Sequence, residues 1–102
     1  MEFIETSLFS KLIYKYLEDE EYAILQWGLT LHPEIGDMIP ATAGLRKIRW
    51  GAKGRGKRGG VRIVYYYHKY NQQIWLITIY AKNEIENIPP ETLKRIREKL
   101  GI

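Results

Sequence analysis

The chain has 102 residues, of which 45% are hydrophobic and 27% charged, values typical of a globular protein. This length predicts one domain, over residues 1–102, with a single modest core. The lack of cysteine excludes disulfides and thiol chemistry, and with two histidines we expect no structural zinc site. No apolar run approaches the ~20 residues of a membrane helix and the first residues lack a signal-peptide pattern, so we expect a soluble, cytoplasmic protein.

The first third of the chain predicts a short strand and then a helix. Residues 2–6 form the candidate strand. Ser7 is the predicted N-cap of a helix that runs to about Leu17. The helix prediction depends on apolar side chains at helical spacing, namely Leu8, Leu12, Ile13 and Tyr16.

A second helix is predicted directly after the first. Asp19 is its expected N-cap, since acidic residues follow in the first turn, where the helix dipole favours them. The helix should end at about Leu31, before Pro33 and Gly36. Residues 37–44 have the composition of a loop.

Three strands and a last helix are predicted for the rest of the chain. β-branched and aromatic residues mark the strands, at residues 45–50, 61–69 and 73–81. The helix should begin at Pro90 and end at Leu100, before Gly101. The order β-α-α-β-β-β-α predicts an α+β fold: two N-terminal helices packed on a curved, mostly antiparallel sheet, with a C-terminal helix.

Charge is unevenly distributed along the chain. Residues 38–83 contain ten Lys and Arg and no acid, whereas the other six cations share the flanks with all twelve acids. Such asymmetry predicts a surface that binds a polyanion. The alternative is a solvated cationic face without a partner, although such faces usually contain acids as well.

The glycine-rich stretch 51–60 contains two nucleotide-binding motifs, but the residues around each motif do not fit that function. Residues 54–59 match G-x-G-x-x-G, but a strand follows where dinucleotide binding needs a helix N-terminus. Residues 51–57 match G-x-x-x-x-G-K, but Arg58 stands where a P-loop needs Ser or Thr. We therefore expect no nucleotide cofactor. The loop contains four cations, Lys53, Arg55, Lys57 and Arg58. We interpret them as contacts to a phosphate chain; the alternative is that they form a solvated hairpin tip.

Strand alternation assigns the other cations to faces of the sheet. Lys47 and Arg49 share one face of their strand, and Arg46 takes the other. Arg62 shares a face with Tyr66 and with His68, which lies near the hairpin end of the strand. If the two strands pair, Lys47 and Arg49 can lie beside Arg62, which gathers three cations on the sheet.

Clustered cations suit metal-free RNA cleavage, in which the 2′-hydroxyl attacks the adjacent phosphate. The protein must stabilise the negative phosphorane, accept the 2′ proton and protonate the leaving 5′ oxygen. His68 is a candidate proton shuttle, whereas His32 is expected to be a cap or surface residue. A metal-dependent nuclease would need clustered carboxylates, and the acid-free stretch argues against it. Four tyrosines could stack bases, although we expect at least two of them in the core: Tyr65, Tyr66, Tyr67 and Tyr80.

Three segments, GLRKIRW, GKRGGVRIVYYY and WLITIYAKNE, resemble the RelE/HigB superfamily of toxins from bacterial type II toxin–antitoxin systems. The HigB branch with the GKRGG loop is the most similar. The resemblance implies a ribosome-dependent mRNA endonuclease, or mRNA interferase, that enters the A site of the 70S ribosome, cuts mRNA there and inhibits translation and growth. It also implies a cognate antitoxin, in this branch typically a HigA-like helix-turn-helix protein.

The resemblance also implies a catalytic set, comprising Lys47, Arg49, Arg62, Lys82 and Tyr80. Lys47 and Arg49 match the family's basic pair before the loop, Arg62 matches its contact to the scissile phosphate, and Lys82 matches the basic position after the last strand. Asn83 stands where some relatives have a second arginine, so the general acid and base stay open. The predicted RNA-binding residues are Arg46, Lys53, Arg55, Lys57, Arg58, Tyr66 and His68. The alternative is a non-cleaving module of the same fold that binds RNA or the ribosome.

Overall fold

The computed structural model describes residues 1–51, 60–84 and 87–102, which form a five-stranded sheet with helices on both faces. This architecture confirms the predicted α+β class. The elements in chain order are β1 (Glu2–Glu5), α1 (Ser7–Tyr16), α2 (Asp19–Leu31), β2 (Asp37–Met38), β3 (Arg46–Trp50), β4 (Val61–His68), β5 (Gln73–Ala81) and α3 (Pro90–Leu100).

The sheet has the strand order β1-β5-β4-β3-β2 and is mostly antiparallel, as predicted. Among the strands in the described part of the chain, only β1 pairs in parallel, with β5. The prediction of loop throughout residues 37–44 was wrong at its start, because Asp37 and Met38 pair with Lys47 and Arg46 as the edge strand β2. Two residues are too few to show the alternation by which a strand is detected in a sequence.

Two apolar clusters cover the two faces of the sheet. The first packs α1 and α2 against alternate residues of β3, β4 and β5, such as Ile48, Ile63 and Ile79. The second packs α3, through Leu93, against the opposite face at Val64 and neighbouring residues. The central strands are therefore buried on both sides, and any cation at mid-strand must share its face with a helix.

The N-caps of α1 and α2 differ from those predicted. Thr6, not Ser7, caps α1: its hydroxyl accepts from the Phe9 N–H at 3.1 Å and donates to the Ile77 carbonyl of β5 at 2.7 Å. A capping box formed by Glu18 and Glu21 begins α2, in place of Asp19. The tertiary bond to β5 fixes Thr6, and a sequence contains no local sign of that bond.

The buried stripe of α1 is also shifted by one residue from the prediction. Leu8 is 45% exposed, whereas Phe9 and Ile13 are fully buried and Leu12 and Tyr16 are partly so. In α2 the buried residues include Leu25 and Leu29. None of the helices in the described part of the chain has the length and apolar character needed to cross a membrane.

A bulge in β5 reverses the alternation of that strand. Tyr65 of β4 pairs with Leu76, but its neighbour Val64 pairs with Thr78, so Ile77 is an extra residue. Before the bulge, Leu76 belongs to the cluster under α1 and α2; after it, Tyr80 belongs to the cluster under α3. Strict alternation would have placed both on the same face, and the bulge separates them.

Candidate nucleic-acid interface

Three polar residues form a row across the three central strands, on the face that α3 covers. Arg49 of β3 pairs with Arg62 of β4, and Arg62 pairs in turn with Tyr80 of β5. Lys47 lies two residues before Arg49 and hence on the same face of β3. The structure thus brings together four of the five residues predicted to be catalytic. We call the three cations, Lys47, Arg49 and Arg62, together with Tyr80 the cationic row.

Arg62 is the buried centre of the cationic row, with 8% of its surface exposed. Its guanidinium Nη1 lies 3.4 Å from the Val61 carbonyl oxygen, and Arg49, an exposed residue, lies directly across the strand pair. Like charges in this relation destabilise a sheet. In the described part of the chain the only ion pair is Lys15–Glu84, so no described carboxylate neutralises the two arginines through an ion pair. An anionic ligand would relieve their repulsion.

Tyr80 lies at the buried end of the row, with 3% of its surface exposed. Burial raises the pKa of its phenol, and the positive charge of Arg62 opposes that shift in part. Tyr80 therefore keeps its proton at neutral pH. It can donate a hydrogen bond, but it cannot act as a base there.

Lys47 makes a contact that the sequence did not predict. Its Nζ lies 3.4 Å from Oδ1 of Asn87, a residue just before α3. The two residues are 40 positions apart, so only the packing of the C-terminal segment brings them together. Lys82 follows β5 directly and is exposed.

The structure does not bring Arg46 to the cationic row. Arg46 lies on the opposite face of β3, and its Nη1 donates to the carbonyl oxygens of Glu34 at 3.0 Å and Gly36 at 2.8 Å. The Tyr65 hydroxyl binds the same turn, accepting from the Gly36 N–H and donating to the Pro33 carbonyl, both at 2.9 Å. Arg46 therefore holds the turn between α2 and β2.

Tyr66 and His68 lie near a cation that the sequence analysis missed. The guanidinium carbon of Arg97, from α3, lies 4.8 Å from the centre of the Tyr66 ring. His68 packs edge-on against Tyr66 at 6.1 Å, and its Nδ1 lies 3.4 Å from the Asn71 N–H. The Nε of Arg97 is buried without a hydrogen-bond partner in the described part of the chain. In the sequence, Arg97 is only a cation next to the apolar Ile96 in a predicted helix. This pattern does not predict its contact with Tyr66.

Of the remaining predicted residues, some are buried in the core and the loop cations lie outside the described part of the chain. Tyr65 and Tyr80 are buried, which confirms that at least two of the four tyrosines lie in the core. The described residues include no group of three or more His, Cys, Asp or Glu that could hold a metal ion. The four loop cations lie outside the described residues: Lys53, Arg55, Lys57 and Arg58.

The fold defines the class of structure to which this chain is similar. No protein-family model matches the sequence. Among solved structures, the E. coli toxin RelE, a double arginine-to-alanine mutant in the free state, matches with a TM-score of 0.63 and 17% identity. The match covers 94% of this chain and 95% of that one. The chain therefore has a RelE-like fold over nearly its whole length.

Proposed function

We propose that this chain is the toxin of a type II toxin–antitoxin system, most similar to the HigB branch, and acts as a metal-independent, ribosome-dependent mRNA endonuclease in the cytoplasm. The observation that supports this proposal best is the pair Arg49 and Arg62, adjacent across two strands and without a described carboxylate partner. The RelE-like fold supports the same proposal through its likeness to a protein described as a toxin.

The proposed reaction is an internal transfer within the RNA. The 2′-oxygen forms a bond to phosphorus, the bond from phosphorus to the 5′-oxygen breaks, and one proton moves from the first oxygen to the second through the enzyme. Arg62 and Arg49 stabilise the charge of the phosphorane, because guanidinium groups match phosphate oxygens in geometry as well as charge. Lys47 and Lys82 add positive charge around the same phosphate.

Tyr80 is proposed to act through Arg62 rather than on RNA. Its phenol is buried beside Arg62 and keeps its proton, so it fits a residue that positions the guanidinium. RNA binding is assigned to Tyr66, to His68 and to the loop cations Lys53, Arg55, Lys57 and Arg58. Arg46 is assigned a structural role, because two backbone carbonyls already bind its guanidinium.

A non-cleaving RNA- or ribosome-binding module is the second candidate function. The burial of Tyr80 favours it, because the one phenol in the cationic row is shielded from a bound RNA. Both candidates predict binding to the ribosome, and only the first predicts new mRNA ends.

The test is induction of the chain in bacteria, with mapping of mRNA 5′ ends. We expect growth arrest and cuts at A-site codons, reduced about 10²–10³-fold by Arg49→Ala and by Arg62→Ala, as for loss of a transition-state donor. Arg62→Lys should restore only part of the activity, since lysine lacks the planar fork. Arg95→Ala, at an exposed position of α3, is the matched control and should cut normally. Cuts in ribosome-free RNA would contradict ribosome dependence.

Ribosome pelleting, combined with the mapped mRNA ends, separates the two candidates. If the chain binds 70S ribosomes but induction leaves mRNA intact, the non-cleaving module is correct. The proposed antitoxin, a HigA-like helix-turn-helix protein, would be sought in the adjacent reading frame. Its co-expression should restore growth, and failure to do so would contradict that assignment.

A further inference from the structure

The outer face of α2 exposes a stripe of large apolar side chains. Ile24, Trp27 and Leu31 are 61%, 65% and 55% exposed, and their spacing places them on one side of the helix. The opposite side of α2 is buried in the core through Leu25 and Leu29. A row of large, exposed apolar residues of this kind marks an interaction site more often than isolated ones do.

The stripe continues beyond the end of the helix into a shallow depression. The depression has a volume of about 520 Å³ and is lined by Leu31, His32, Pro33, Glu34 and Ile35, the last being 56% exposed. Its walls are held in place from below, because Tyr65 and Arg46 bind the backbone of residues 33–36 through four hydrogen bonds. The apolar surface is thus formed before any partner arrives.

The segment that carries this surface is acidic in sequence, and Arg46, a cation that contacts its backbone, donates to the carbonyl oxygens of Glu34 and Gly36. Residues 16–45 contain six acids and no Lys or Arg, the reverse of residues 38–83. Glu20 lies one turn before Ile24 on the same side of α2, and Glu34 lines the depression at the other end. Glu20 and Leu31 are about 17 Å apart along the helix axis, from a rise of about 1.5 Å per residue. We call this surface, with Glu20, Ile24, Trp27, Leu31, Glu34 and Ile35, the α2 face.

We propose that the α2 face binds an amphipathic helix of a partner protein, with an apolar side and Lys or Arg at both ends. Charge decides against the other occupants. RNA and anionic membrane surfaces would be repelled by Glu20 and Glu34, and two copies of the α2 face would bring those carboxylates together.

The position of the α2 face has a consequence for function. It lies on the side of the sheet covered by α1 and α2, whereas the cationic row lies on the side covered by α3. A partner can therefore occupy the α2 face without covering the cationic row. This inference does not depend on whether the chain cleaves RNA.

Two synthetic helical peptides of 18 residues test the proposal. They share a leucine face and differ only at their ends, which are lysine in one and glutamate in the other. NMR chemical shifts of the ¹⁵N-labelled chain should move at residues 20–35 with the lysine peptide, which should bind at least tenfold more tightly than the glutamate peptide. Equal binding of the two peptides, shifts confined to β3 and β4, or no shift at 1 mM peptide would overturn the proposal.

Matched variants locate the contact. Trp27→Ser should weaken binding of the lysine peptide about tenfold, and Tyr70→Ser, at a 98% exposed aromatic on the β4–β5 hairpin, should leave it unchanged. Glu20→Gln combined with Glu34→Gln should reduce the preference for the lysine peptide. If sedimentation instead shows a dimer of the free chain that Trp27→Ser abolishes, a second copy is the occupant and the proposal is wrong.

Discussion

Tyr65→Phe is the change whose effect the structure defines most closely. The ring of Tyr65 is fully buried, and phenylalanine keeps its volume, so the substitution removes only the hydroxyl. That hydroxyl accepts from the Gly36 N–H and donates to the Pro33 carbonyl, both at 2.9 Å. Gly36 is itself buried, so its N–H has no ready access to water.

The expected loss follows from these two bonds. An unsatisfied buried donor costs about 1–3 kcal/mol, and a lost bond to a partly solvated carbonyl about 0.5–1 kcal/mol. We therefore expect Tyr65→Phe to lower the free energy of unfolding by about 1.5–4 kcal/mol, measured by urea denaturation. Tyr70→Phe is the control, because its side chain is 98% exposed. A loss no larger than that of Tyr70→Phe would refute the assigned role of the hydroxyl.

Three further changes test other parts of the structure. Gly36→Ala would place its Cβ 2.8 Å from Cε1 of Tyr65 and 3.1 Å from the Lys47 carbonyl oxygen, so we expect urea denaturation to show a loss of about 1–3 kcal/mol; unchanged stability would contradict the close packing. Thr6→Ala removes the N-cap and the bond to β5 and should cost about 2 kcal/mol in thermal unfolding, whereas Ser7→Ala should cost under about 0.5 kcal/mol; equal losses would restore Ser7 as the cap. Burial, with the hydrogen bond to Glu5, raises the pKa of Tyr22 above its usual 10.0, so the folded state holds a proton that the unfolded state loses above pH 10. The free energy of unfolding should then fall as pH rises past 10, by up to about 1.4 kcal/mol per pH unit for this group, and Tyr22→Phe should show a shallower fall; an equal slope in the variant would show that Tyr22 does not contribute.

Local sequence signals were sufficient for most elements of the fold. Alternating β-branched and aromatic residues marked β3, β4 and β5, and Pro90 with Gly101 marked both ends of α3; Gly101 has the left-handed backbone, with φ of 71°, expected of a C-terminal glycine. The errors arose where a distant element decides. Thr6 caps α1 partly because β5 lies beside it, and β2 exists because β3 offers an edge to pair with.

The functional surfaces divide in the same way. The acid-free stretch and the face shared by Lys47 and Arg49 were evident from composition and period, and the pairing of β3 with β4 places Arg49 opposite Arg62 as expected. The contacts of Asn87 and Arg97 were missed because both come from the C-terminal segment, far along the chain. The α2 face was also missed, since apolar residues at helical spacing look alike whether they face the core or solvent.

The sequence by itself determined the order of the elements other than β2 and the opposite charges of its middle and its flanks, because both depend on residues close together in the chain. The tertiary structure alone decided which side chains meet. Tyr80 shows this most clearly. The two-residue alternation of a regular strand would place it on the same face as Leu76, under α1 and α2. One extra residue, Ile77, shifts the register of β5 and moves Tyr80 beside Arg62, under α3. A bulge of this kind exists only in relation to the partner strand, so a sequence contains no local sign of it.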